Sequence, residues 1–259
     1  MTVSLEYSDS GGQGEPLVIV HGLLGSADNW RSHIKQWSSE RRVIALDLRN
    51  HGRSPHAEGM DYTEMAEDVA AVMDRCGVTS GHLLGHSMGG KVVMTLARLH
   101  PELVASLIVA DIAPVAYEHR HDSVFTALRR VEQGEPTDRR EADALMAEVI
   151  DDKPTRMFLA TNLVRDDDRV LRLRVNLDAI EAGYGQIMAP PGGEGSIDVP
   201  TLVLRGSRSD YVADDLLESL RAVLPRAEVK TLDAGHWLHT ERAQEFQQHV
   251  AEFLASQDD

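Results

Sequence analysis

Gly85-His86-Ser87-Met88-Gly89 places a serine between two glycines at the spacing G-x-S-x-G, directly after the apolar Leu83-Leu84 and directly before a helical stretch opened by Gly90 and Lys91. A serine hydroxyl attacks a carbonyl only when it is held clear of the chain and a neighbouring base takes its proton. A strand-to-helix turn sharp enough to expose the hydroxyl leaves no room for a Cβ on either side, which is why glycines flank it. The spacing alone arises by chance in about one chain of this size in ten, so the argument rests on its place between strand and helix. Ser87 is therefore the candidate nucleophile.

The candidate general base and acid is His236, one of 12 histidines, in Ala234-Gly235-His236-Trp237. It follows the strand-like residues 229–232 and precedes the last helical stretch, which puts it on a loop at the carboxyl edge of a sheet. His239 is its rival and is expected to enter the final helix facing away. The glycine-rich His21-Gly22-Leu23-Leu24-Gly25 follows the apolar 18–20, where a loop can aim main-chain N–H groups at a tetrahedral oxyanion. The expected donors are Leu23 and Met88, with His21 bracing the loop rather than reacting.

These residues need a frame that brings distant loops together. Residues 16–20, 42–46, 82–84, 107–110 and 201–204 are short runs rich in Val, Ile and Leu, which read as strands buried on both faces. Met65, Val69, Val72, Met73 and Cys76 recur at helical spacing, with Asp61 and Thr63 as candidate caps and Gly77 as the stop, predicting a helix over 63–76. Residues 88–99, 213–224 and 240–255 repeat this grammar. Alternating strands and helices imply crossovers in a parallel sheet, so the fold class is α/β.

The rhythm breaks between Ile112 and Asp198, where apolar spacings, including Leu171, Leu173, Val175 and Leu177, suggest helices without strands. The expected organisation is a core of 1–111 and 198–259 with a helical cap at 112–197. The cap ends in the Pro- and Gly-rich 188–196, read as a linker able to hinge a lid. The charged run 165–169 reads as a solvated face, because consecutive side chains do not converge on one ion.

The 259 residues are 42% hydrophobic and 26% charged, which excludes disordered and collagen-like classes. Lys and Arg number 26 against 42 Asp and Glu, a formal net charge of -16 that disfavours nucleic acid and anionic lipid as partners. Cys76 is the one cysteine, so neither an intrachain disulfide nor a Cys-based zinc site can form. With no basic-then-apolar leader in 1–6 and no long apolar run, a soluble cytoplasmic protein is expected.

Taken together the chain resembles the α/β-hydrolase superfamily and, within it, the small YbfF-like bacterial esterases. The resemblance rests on His21-Gly22-Leu23-Leu24-Gly25-Ser26 with Asn29-Trp30, Asp47-Leu48-Arg49-Asn50-His51-Gly52-Arg53-Ser54-Pro55, the Ser87 motif with Gly90, Asp111-Ile112-Ala113-Pro114, and Gly235-His236-Trp237. It implies a mostly parallel central sheet flanked by helices, an inserted helical cap, and carboxylesterase activity through a Ser-His-Asp triad. Two aspartates compete for the acid. The usual superfamily place, three residues beyond a glycine, counts from Gly206 to Ser209 and leaves Asp210 one residue out of register. Asp111, at the end of the strand after the nucleophile helix, holds the alternative place and is favoured. Short to medium acyl esters or thioesters are the implied substrates, with Phe125, Met157 and Phe158 as candidates for an apolar pocket; no metal or organic cofactor is expected. The alternatives are another triad reaction, such as carbon–carbon bond hydrolysis or perhydrolysis, and a non-catalytic ligand-binding module. Ser87 at the turn argues against the branches that use a carboxylate nucleophile.

Overall fold

The computed structural model describes residues 1–257. Its strands are β1 (Tyr7–Asp9), β2 (Leu17–Val20), β3 (Val43–Leu46), β4 (Gly81–His86), β5 (Val104–Ala110), β6 (Leu163–Arg165), β7 (Leu171–Leu173), β8 (Thr201–Gly206) and β9 (Ala227–Leu232). Its α-helices are α1 (Arg31–Trp37), α2 (Tyr62–Arg75), α3 (Met88–Leu99), α4 (Asp122–Gly134), α5 (Arg139–Ala147), α6 (Lys153–Leu159), α7 (Leu177–Ala182), α8 (Tyr184–Met188), α9 (Leu217–Val223), α10 (Leu238–Glu241) and α11 (Ala243–Ala255). Seven strands form one sheet in the order β1-β3-β2-β4-β5-β8-β9, with β1 antiparallel at one edge and every other pair parallel.

The two-residue period of the strands explains why they read as continuous apolar runs. Val18, Val20, Ile44, Leu46 and Leu83 face one side and join the core of α2 and α3, whereas Leu17, Ile19, Val43, Ala45 and Leu84 face the other. That second side is covered by Trp30, by Trp37 of α1, and by Phe246, Val250 and Leu254 of α11. A parallel sheet with both faces covered needs both alternating sets to be apolar. The predicted helix 63–76 is α2, whose N-terminus is capped by the Asp61 carboxylate accepting from the N–H groups of Thr63 and Glu64. Gly77 adopts φ 67°, the left-handed conformation that ends a helix at low cost in glycine.

Between β5 and β8 the chain leaves the sheet and builds α4 to α8 and a two-stranded hairpin, β6–β7. The hairpin corrects the helical reading of this region. Leu171 and Leu173 alternate with Arg172 and Arg174, a period of two that belongs to a strand. The charged run lies at the tip of that hairpin, where Arg169 N–H donates to the Asp166 carbonyl at 3.1 Å. The Pro- and Gly-rich stretch expected to hinge is tied to α3 instead: Gly192 N–H donates to Thr95 Oγ1 at 2.9 Å, and Arg98 donates to the carbonyls of Pro191, Gly192, Gly193 and Gly195.

Candidate active site

Ser87 stands between the end of β4 and the start of α3 at φ 53° and ψ -121°, a backbone conformation that L-residues rarely adopt. Its N–H donates to the Ala110 carbonyl at 2.9 Å, fastening the turn to β5. The flanking glycines are required by contact distances. A Cβ on Gly85 would lie 2.2 Å from the Gly89 carbonyl oxygen, and one on Gly89 would lie 2.3 Å from that of Val20.

Ser87 Oγ lies 2.9 Å from His236 Nε2, and His236 Nδ1 lies 2.8 Å from Asp111 Oδ2. Asp111 is fully buried, so its carboxylate needs partners. Gly206 N–H donates to Oδ1 at 2.9 Å, and the Ser209 hydroxyl donates to Oδ2 beside His236. A carboxylate only accepts, which puts the imidazole proton on Nδ1 and leaves the Nε2 lone pair facing the Ser87 hydroxyl. Asp210 takes no part in this chain of hydrogen bonds. Its side chain is 73% exposed and pairs with Arg120 at 3.0 Å, one residue past the position that reaches Asp111.

Four supports escaped sequence reasoning. Ser209 was reached by counting from Gly206, yet as a position at which an acid was missing. His86, the variable residue of the turn, donates from Nε2 to the His236 carbonyl at 2.9 Å, and burial pushes its pKa down to about 3, so it is neutral. The Tyr211 ring stacks on His236 with centroids 4.0 Å apart. Asn162, buried in the segment between β5 and β8, donates to the Leu24 carbonyl at 2.8 Å and so holds the glycine-rich loop from above. None of these carries a motif signal, because each is defined by a partner far away in sequence.

The glycine-rich loop is also held from below. Leu48 N–H donates to His21 Nε2 at 2.9 Å, which leaves Nδ1 to donate to the Gly22 carbonyl at 2.7 Å. His21 thus braces the loop with both ring nitrogens engaged. Among the described residues neither the Leu23 nor the Met88 N–H donates to a protein acceptor, so both are free for an anion. His239 sits in α10 with its ring stacked on Trp30 at 4.6 Å and makes no hydrogen bond to Ser87.

A cavity of about 340 Å³ opens over Ser87 and His236, and its apolar wall includes Leu24, Ile112, Phe158, Leu159, Ile187 and Trp237. Of the three residues expected to line it, Phe158 does so. Phe125 is buried against Tyr184, and Met157 is 62% exposed. Among the described residues no group of three or more His, Cys, Asp or Glu side chains is placed to hold a metal ion, and no helix is long and apolar enough to cross a membrane.

The model of the α/β-hydrolase fold family matches residues 15–243. The chain belongs to the α/β-hydrolase family. The resemblance seen in the sequence and the fold class inferred from it both hold. The chain is 37% identical over 248 residues to the sn-1-specific diacylglycerol lipase ABHD11 of Mus musculus, covering 92% of this chain and 80% of that protein. It is 34% identical over 231 residues to the esterase YbfF of Escherichia coli, covering 88% of each. A solved structure of a marine microorganism esterase superposes with a TM-score of 0.94 at 38% identity, covering 97% of this chain and 100% of that one.

Proposed function

We propose that this α/β-hydrolase is a serine carboxylesterase in which Ser87 is the nucleophile, His236 the general base and acid, Asp111 the triad acid, and the Leu23 and Met88 N–H groups the oxyanion hole. The observation that carries the reading is the continuous hydrogen-bonded line from Ser87 through His236 to the buried Asp111. Relatives named as esterases and lipases support ester bonds as the target.

The Ser87 hydroxyl attacks the ester carbonyl as His236 Nε2 takes its proton, and the carbonyl oxygen becomes an oxyanion bound by the two main-chain N–H groups. His236, now charged, returns the proton to the leaving alcohol. The Asp111 carboxylate stabilises the charged ring and holds its tautomer. Water then enters, gives its proton to His236 and attacks the acyl-enzyme, and His236 returns that proton to Ser87 Oγ as the acid leaves. The chain supplies the nucleophile, the base and the oxyanion donors, so the proposed reaction calls for neither metal nor organic cofactor. A cavity of about 340 Å³ lies at the small end of ligand sites and supports short to medium acyl groups. The helices and hairpin between β5 and β8 act as the cap that closes it.

A fluorophosphonate should label the protein once, on Ser87, and the Ser87→Ala variant not at all. Hydrolysis of p-nitrophenyl esters of increasing chain length, with a diacylglycerol alongside, would then size the acyl site. Absence of both label and turnover would refute the reading and favour a ligand-binding role.

A further inference from the structure

Lys91 lies one helical turn beyond Ser87 on α3, its N–H donating to the Ser87 carbonyl at 3.3 Å. It is 1% exposed, yet it lines the cavity above the nucleophile. The ammonium donates to the carbonyls of Met188 at 3.4 Å and Ala189 at 2.5 Å and lies 4.7 Å from the Tyr117 ring centroid and 5.6 Å from that of Tyr62. Among the described residues no carboxylate pairs with it, and no Asp or Glu lines the cavity. The lining histidines outside the triad are neutral: burial holds His86 at about 3 and His121 at about 4, and it holds His21 and His239 below the ordinary imidazole range. Burial brings Lys91 itself down to about 7. Below about pH 7 the cavity therefore contains one cation without a counter-ion, a costly arrangement for a residue that only fills space.

Fastening the 188–189 segment through the Ala189 carbonyl does not by itself call for a charge, since a neutral amide donates there as well. The Met188 carbonyl already accepts from the Tyr117 N–H at 2.9 Å. The position of the ammonium points to the acyl group. Helical side chains lean toward the helix N-terminus, here toward Ser87. Around Lys91 the cavity is closed by Tyr62, Ile187 and Met188, each 7% exposed or less, whereas at its other edge Ser123 is exposed and Thr155 and Trp237 are half-buried, which makes that edge the more open one. A leaving alcohol must depart by the open edge, so the acyl group, which stays on Ser87, occupies the closed end.

We propose that Lys91 sets acyl specificity by receiving a carboxylate at the far end of the acyl chain, so that hemiesters of dicarboxylic acids are preferred to neutral esters of equal length. This rests on Ser87 being the nucleophile of an esterase. A charged hydrogen bond in a dry site discriminates by about tenfold to a hundredfold.

The test compares kcat/KM at pH 6.5, read by proton release, for the methyl hemiesters of succinic, glutaric and adipic acids and for methyl butanoate, pentanoate and hexanoate. The ratio of hemiester to neutral ester is taken within each protein, so a general loss of activity cancels. The ratio at the best length should fall by at least about tenfold in Lys91→Met and in Lys91→Gln, which keeps a donor for the Ala189 carbonyl and loses the charge. An unchanged ratio in a folded Lys91→Gln protein would overturn the proposal and leave Lys91 as a fastening. Should both variants fail to fold, the wild-type protein decides by competitive inhibition: glutarate binding at least about tenfold tighter than pentanoate supports the site, and equal inhibition removes it. Hydrolysis of neutral esters without a hemiester preference refutes Lys91 recognition alone. Hydrolysis of neither class, with Ser87 unlabelled, refutes the esterase reading and this proposal with it.

Discussion

Replacing Asp111 by asparagine changes one atom of the site and should nearly abolish turnover. Oδ1 accepts from the Gly206 N–H, so an oxygen must stay there and the new amide nitrogen must take the place of Oδ2. That place faces both the Ser209 hydroxyl and His236 Nδ1. The hydroxyl can rotate to accept, but an imidazole nitrogen facing an N–H donor must present its lone pair. The ring proton then moves to Nε2, where it faces Ser87 Oγ and cannot take the hydroxyl proton. The fold should tolerate the change, since Asp111 sits at φ 53° and asparagine accepts the left-handed region readily. Loss of the tautomer together with the charge that stabilises imidazolium lowers kcat by about 10⁴, or ~5 kcal/mol, with KM nearly unchanged because the substrate does not touch Asp111. The comparison is Asp210→Asn, whose carboxylate is 73% exposed in a surface pair and should keep kcat within about twofold. Steady-state hydrolysis of p-nitrophenyl butanoate by both variants, each checked for folding by circular dichroism, decides. More than a tenth of wild-type kcat in folded Asp111→Asn, or a collapse in Asp210→Asn, would refute the reasoning.

Leu23→Pro deletes an N–H that has no protein partner, so kcat should fall about a hundredfold to a thousandfold while the fold persists; unchanged turnover removes Leu23 from the oxyanion hole. Ser87→Gly should melt ~2–4 °C above Ser87→Ala, because glycine relieves about 1 kcal/mol net of backbone strain at φ 53° and ψ -121°, and equal melting points by calorimetry would deny that strain. Acid should destabilise the protein below about pH 6.5. Burial lowers His33 to about 4 and His51 and His86 to about 3, so above the unfolded value of about 6.5 both states are neutral and pH has no effect through them. Below it the unfolded chain takes up protons that the folded chain refuses, and stability is lost progressively as pH falls toward the folded values. Melting temperatures that stay flat from pH 7 to 4.5 would show that these rings are not buried as neutral groups.

The difference between what the sequence disclosed and what it withheld follows from the range of the interactions. Ser87 was legible because its signature is local: Gly85 and Gly89 flank it in sequence, Gly85 clearing the Gly89 carbonyl and Gly89 that of Val20, and β4 and α3 announce themselves by period. The core strands were legible because a parallel sheet needs apolar residues on both faces, and the edge strand β1, exposed along its three residues, was not. Spacing from Gly206 left Asp210 one residue out of register and so favoured Asp111, but the physical reason lies in the end of β8. There Gly206 and Ser209 both reach Asp111 across a parallel pair whose members are about a hundred residues apart, and the chain then turns Asp210 out to Arg120. The register of β5 on β8 therefore decides which aspartate faces His236, and no local pattern records that register. The same reasoning applies to Lys91, which in sequence reads as one more polar residue of a helix. It becomes a buried group only when the returning segment from 188 to 195 closes over α3 with two carbonyls and the rings of Tyr62 and Tyr117 complete its surroundings. A charge that the surrounding fold isolates in this way has chemical meaning only through what enters the cavity beside it.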